Sequence, residues 1–174
     1  MDPRVDQFKQ TLTTRLKTAR DVALLAVGSE FRGDDAVALR VAELIESESD
    51  RPPQLHVFIG ATAPENCTGP IRRVNPSHLL VLDAADMQAE PGTTALLDTA
   101  HLSEITFCTH ALPLSVIIDY ILASCPQCDV IVIGVQPARL EFGRALSAPV
   151  ESAAQGIAAL LRTALKPQNP EKHS

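Results

Sequence analysis

The sequence predicts an α/β protein: a three-layer α/β/α sandwich around a mostly parallel, twisted sheet of about five strands, with one edge strand antiparallel. Two observations predict it. Near-continuous apolar runs of strand length alternate with segments whose apolar residues recur at helical spacing. Most connections between those runs are long enough for a right-handed helical crossover, and neither an internal repeat nor a linker interrupts them. At 174 residues the chain reads as a single domain, 1–174, able to bury roughly 70% of the surface its unfolded form exposes.

The elements follow in order. Val5, Phe8, Leu12 and Leu16 have helical spacing and suggest an amphipathic helix within residues 1–20, an appendage laid against an α/β core of 22–165. Val22 to Val27 is continuously apolar, the pattern of a strand covered on both faces. Val37, Val41, Leu44 and Ile45 then give the next helix one apolar stripe. Asp50-Arg51-Pro52-Pro53 turns the chain into a second strand, Leu55 to Ile59. Ala63-Pro64-Glu65-Asn66 opens a short helix with an interruption expected near Gly69-Pro70, and His78 to Asp83 is a third buried strand.

Pro91-Gly92 turns into Thr93 to Leu97, a short strand whose connection is too brief for a parallel crossover, hence the antiparallel edge. Thr106 to Pro113 reads as a loop. Leu114, Ile117, Ile118, Ile121 and Leu122 make a helix face, Val130 to Val135 a strand, and Val150, Ala153, Ala154, Ile157, Leu160 and Leu161 the last helix. The tail, 166–174, is polar and contains prolines.

Composition removes several classes of function. The net charge is −6 and no basic run is interleaved with aromatics, which argues against nucleic-acid partners. No segment offers the roughly eighteen apolar residues a membrane span needs, and the first twenty residues lack a signal-peptide apolar stretch, so a cytoplasmic protein is expected. Cys67, Cys108, Cys125 and Cys128 are then reduced thiols. Only 3% of residues are aromatic, so the core is built from Ala, Val, Leu and Ile.

The chemistry concentrates where the first strand becomes a helix, in Gly28-Ser29-Glu30-Phe31-Arg32-Gly33-Asp34-Asp35. One Asp at such a place caps the helix and complements its dipole. With two, Asp34 is expected to cap while Asp35 points elsewhere. In a parallel sheet, ligands bind outside the carboxyl ends of the strands, at the point where strand order reverses. If strands one and three flank that point, Asp35 and Asp83, at the end of strand three, lie across one crevice. His110, in Cys108-Thr109-His110-Ala111-Leu112-Pro113, sits in a loop able to reach it. Two carboxylates and an imidazole make a ligand set for a borderline divalent cation such as zinc or nickel, with positions left open. His56, His78, His101 and His173 stand in less suggestive contexts and read as structural or surface residues.

Two other motifs are set aside. Cys125-Pro126-Gln127-Cys128 follows a helix and precedes a strand, the end at which the dipole disfavours a thiolate, and no second CxxC completes a zinc ribbon. Gly28 and Gly33 resemble part of a dinucleotide fingerprint. However, Glu30 stands where the backbone would approach a pyrophosphate, and Asp34 and Asp35 would repel it.

Five stretches together, Ala26 to Asp35, Thr62 to Asn66, Leu80 to Met87, Thr109 to Leu114 and Ile133 to Pro137, resemble the nickel–iron hydrogenase maturation endopeptidases, most of all the hydrogenase 3 (formate hydrogenlyase) branch. The likeness runs from about Val22 to Leu165. It implies a peptidase that removes the carboxyl-terminal extension of a hydrogenase large-subunit precursor after nickel insertion. It also implies that Asp35, Asp83 and His110 bind the metal and carry the reaction, with Asp35 the first candidate for a general base. Nickel would arrive with the substrate rather than reside in the enzyme, and another divalent ion could replace it in vitro. Whether nickel positions the scissile bond, polarises its carbonyl or activates water stays open. One departure stands out: many members end strand two with Asp-Gly-Gly, and this chain has Ile59-Gly60-Ala61. Two other classes stay open, a stand-alone hydrolase holding its own zinc and a non-catalytic nucleotide or metal-carrier domain.

Overall fold

The computed structural model describes residues 3–104, 106–107 and 112–166. Five strands form the sheet in the order β2 (Leu55–Ala61), β1 (Val22–Val27), β3 (His78–Asp86), β6 (Asp129–Val135) and β4 (Thr94–Leu97). The first four are mutually parallel, and β4 runs antiparallel to β6 at the edge. A two-residue strand, β5 (Thr106–Phe107), pairs antiparallel with Ala85 and Asp86 of β3. The predicted architecture is therefore the one observed, with the short β5 added inside the segment expected to be loop. Two residues carry too little pattern for a strand to be read from sequence; an available edge on β3 decides the matter.

Helices α1 (Pro3–Leu16), α2 (Val37–Glu46) and α5 (Ala148–Ala164) cover one face of the sheet, packing on Leu24, Leu80, Leu82, Ile131 and Ile133. Helices α3 (Thr68–Val74) and α4 (Leu114–Leu122) cover the other, where Ile71, Ile117 and Ile121 meet Ala23, Leu25, Val81 and Val132. Every residue of β1 is buried, as its unbroken apolar run requires when both faces are covered. The amino-terminal helix is more deeply built in than an appendage: Phe8, Leu12 and Leu16 are buried within the same core cluster as α5.

The helix expected to break near Gly69-Pro70 does not. A 3₁₀ turn over Pro64–Cys67 leads directly into α3, and Pro70 falls in its first turn, where a missing N–H leaves no intrahelical bond unmade. Strand order places the site. Chain progress runs from β1 outward to β2, then returns past β1 to β3 on its other side, so the reversal of direction lies between β1 and β3.

Candidate active site

β1 ends at that reversal and leads into residues 28–32, a 3₁₀ turn over Gly33–Ala36, and α2. Gly28 makes the arrangement possible. Its φ is +134°, and a Cβ there would fall 1.9 Å from the backbone oxygen of Asp35, so no side chain fits between the end of β1 and the turn it supports. Asp35 is fully buried, and its Oδ2 accepts a 2.6 Å hydrogen bond from the Ser29 N–H. The loop thus closes on its own carboxylate.

Asp34 does something other than the capping its position suggests. The N-cap position of its turn is Arg32, two residues earlier. It crosses to the long connection between β6 and α5, where it accepts from the N–H groups of Ala138 at 2.8 Å, Arg139 at 3.1 Å and Ser147 at 2.6 Å, and from Ser147 Oγ at 2.9 Å. Its own N–H donates to Arg139 O at 3.0 Å. Four donors converge on one buried anion, which ties residues 138–147 to the turn that carries Asp35. Asp34 lies inside the turn, whose N-cap is Arg32, and Gly33, at φ +54°, brings the turn so near Arg139 O that a Cβ would lie 2.9 Å from it, within reach of the neighbouring loop's N–H groups.

Asp83 lies three residues inside the end of β3 rather than at it. The strand continues because β6 still pairs at Ala84 and β5 pairs at Ala85 and Asp86. Asp83 is fully buried, with Gly134 as its register partner on β6. Gly134 has no room for a side chain, since a Cβ there would fall 2.8 Å from the Leu97 side chain and 3.2 Å from the Ala85 Cβ. Burial pushes the Asp83 carboxyl well above the ordinary carboxylate range, the charge of Asp35 pushes it further, and the Ala84 N–H offsets a small part. Two carboxylates are therefore held within electrostatic reach across the β1/β3 crevice, as the strand-order argument anticipates.

His110 lies outside the described residues. Its flanking segments are described: β5 is paired to β3 beginning two residues past Asp83, and α4 starts at Leu114. Among the described residues no three His, Cys, Asp or Glu side chains are grouped closely enough to hold a metal ion. The histidines read as structural behave so where described. His78 is buried with its ring nitrogens 3.0 Å from Arg15 O and 3.0 Å from Ser77 Oγ. His56 and His101 pair with Asp21 and Asp98 at the surface.

One residue of the site's frame escaped the sequence reading. Gln136, just past β6, is buried, and its Oε1 accepts from the N–H groups of Met87 at 2.7 Å and Ala89 at 3.3 Å, while Nε2 donates to Asp86 Oδ1 at 3.3 Å. It locks the chain leaving β3. The signal was present in the sequence: an amide directly after five apolar residues and a glycine needs partners if the strand end is covered.

A parallel sheet covered on both faces, with two buried carboxylates at its reversal point, defines the class as an α/β protein with an acidic site at the carboxyl edge of the strands. The family follows from comparison with known proteins. The family model of HycI, hydrogenase maturation protease, matches residues 39–164. The hydrogenase 3 maturation protease of Escherichia coli K12 is 32% identical over 136 residues, 77% of this chain and 84% of that one. The crystal structure of a [NiFe] hydrogenase maturation protease HycI from Thermococcus kodakarensis is similar at a TM-score of 0.81 and 25% identity, covering 90% of this chain and 99% of that one. The solution structure of an endopeptidase HycI from Escherichia coli gives 0.74 at 30% identity, covering 83% and 90%. The chain belongs to the hydrogenase maturation protease family, and it is a peptidase. Among the described residues no helix is long and apolar enough to cross a membrane.

Proposed function

We propose that this protease acts in the cytoplasm on the large-subunit precursor of a nickel–iron hydrogenase, removing its carboxyl-terminal extension once nickel has been inserted. Asp35, Asp83 and His110 grasp the nickel that the substrate presents, in an O,O,N set with coordination positions left for the substrate's own ligands. The peptidase is then of an aspartyl, metal-recognising type, and nickel is part of what it recognises.

The observation that carries this reading is the placement of Asp35 and Asp83, both fully buried, across one crevice, with the charge of one opposing ionisation of the other. Burying two like charges side by side is unfavourable in the protein alone and becomes favourable when a divalent cation arrives between them. Oxygen donors also suit nickel already held by other ligands: they add to its coordination without competing for the free ion against stronger sites. His110 would supply the nitrogen, and the anchoring of β5 on β3 near Asp83 supports its assignment.

The test is mass spectrometry of the precursor after incubation with the protein, with and without nickel loading. The wild-type protein is expected to shorten only the loaded precursor. Asp35→Asn and His110→Gln are expected to leave it intact while keeping the wild-type circular dichroism spectrum. Shortening by either variant, or equal shortening of the unloaded precursor, overturns the reading.

A further inference from the structure

We propose that Phe31 and Phe142 form an aromatic clamp on the rim of the site and grip an apolar side chain of the precursor segment being cleaved. This rests on the precursor-processing reading above and adds the residues that hold the peptide. The chain has five phenylalanines and no tryptophan, and its core is almost entirely aliphatic, Phe8 excepted. It nevertheless leaves two of those rings in water: Phe31 is 57% exposed and Phe142 is 78% exposed. They are stacked on each other, centroids 6.0 Å apart and planes inclined by 26°. Offset stacking of this kind holds each ring in place without covering its outer face.

The pair is wired to the site. The Phe31 N–H donates to Ser29 Oγ at 3.3 Å, and the Ser29 N–H donates to the Asp35 carboxylate at 2.6 Å, so two hydrogen bonds separate the ring's backbone from the acidic crevice. On the other side, the Gly143 N–H donates to Phe31 O at 2.8 Å, and Gly143 adopts φ +73° with open space around it, a turn that puts Phe142 at the tip of its loop. The base of that loop is the segment Asp34 holds with four donors. Both rings therefore stand on a frame fixed by the two adjacent aspartates, one facing the crevice and one facing the loop.

The occupant follows from size and surroundings. Charged residues flank both rings in sequence, Glu30 and Arg32 beside Phe31 and Glu141 and Arg144 within two residues of Phe142, so the apolar surface is small. Two ring faces supply far less than the roughly 800 Å² per partner of a stable protein interface, so a second copy of this chain does not fit the patch. One apolar side chain on an extended peptide does. A peptidase has to hold such a peptide along this edge for a bond to reach Asp35, and preorganised rings do so at small entropic cost.

The experiment measures precursor binding by biolayer interferometry and precursor cleavage by mass spectrometry, for wild type, the double variant Phe31→Ser/Phe142→Ser, and Phe142→Leu. The double variant is expected to bind the nickel-loaded precursor at least about tenfold more weakly and to raise KM to match, with kcat within about threefold and an unchanged melting temperature. Phe142→Leu is expected to recover most of the affinity. Equal affinity of the double variant, or a loss confined to kcat, overturns the clamp, as does a wild type that does not bind the precursor. If the wild type binds without cleaving, the processing reading falls and the affinities alone decide the clamp.

Discussion

The two ends of the sheet handle charge in opposite ways. At the amino end, opposite charges find each other: the Arg15 guanidinium pairs with Asp129 and bonds Val130 O, and His78 is held between Arg15 O and Ser77 Oγ. At the carboxyl end, Asp83 is buried facing the like charge of Asp35, and Asp34 beside them is surrounded by donors alone. The amino end also has a large cavity, about 700 Å³, lined by Arg20, Asp21, Asn75, Ser77, Cys125 and Cys128 among others. The amino end pairs opposite charges, and the carboxyl end sets the like charges of Asp35 and Asp83 within reach of each other, an arrangement that favours an arriving cation.

The largest expected effect comes from Asp34, because four donors lose their acceptor at once when it is removed. Asp34→Ala leaves the N–H groups of Ala138, Arg139 and Ser147 and the Ser147 hydroxyl facing a void. It should cost about 3 kcal/mol, which lowers the melting temperature of a domain this size by roughly 6–12 °C. Thermal denaturation followed by circular dichroism measures it. Hydrogen exchange should show the loss of protection concentrated in residues 138–147. A change below about 1 kcal/mol would mean that the loop is held by something else, and the contrast between a charge that builds and a charge that binds would fail.

Asp34 also marks the boundary of what sequence can express. The mostly parallel sheet and its antiparallel edge are legible because buried strands and helical stripes have periodicities, and the Asp35–Asp83 crevice follows once strands one and three are supposed to flank the reversal. The partners of Asp34 are not, since they lie more than a hundred residues away on an irregular loop with no period to read. The same holds for β5, which exists because β3 offers it an edge. The place of Asp83 inside its strand likewise depends on β5 and β6 extending the ladder. A periodic pattern reports what faces the core; long-range hydrogen bonds to loops leave no such trace.

The second effect has the opposite sign. Because the Asp83 pKa is raised on folding, the carboxyl is protonated in both the folded and the unfolded chain below the ordinary carboxylate range, and it costs nothing there. As pH rises through that range the unfolded chain releases its proton first, so stability declines until the folded pKa is passed and then stays level. Asp83→Asn removes this decline. The variant, free of substrate, should melt above wild type at neutral pH and together with it near pH 4, while losing precursor cleavage. A neutral-pH melting temperature at or below wild type would show that the like-charge cost is not there to be relieved.

The smallest effect is expected at the amino end, in the cysteine pair that looks most like a functional motif. Cys125 is buried at the end of α4, its N–H bonded to Ile121 O at 3.0 Å, and the Cys128 N–H returns to Cys125 O at 3.0 Å, so the CxxC is a tight turn into β6. Desolvation first, then the neighbouring Cys125 and Asp129, push the Cys128 thiol up to about 11. At pH 8 its thiolate fraction is then about one in a thousand, and iodoacetamide should label it roughly two orders of magnitude more slowly than an unperturbed cysteine. Cys128→Ala should process the precursor within about twofold of wild type. Fast labelling or a clear loss of processing would place chemistry at both ends of the sheet. The separation between a settled edge and a charged one would then have to be abandoned, because a reactive thiolate needs the positive surroundings that this end, at the carboxyl terminus of α4 and beside Asp129, does not supply.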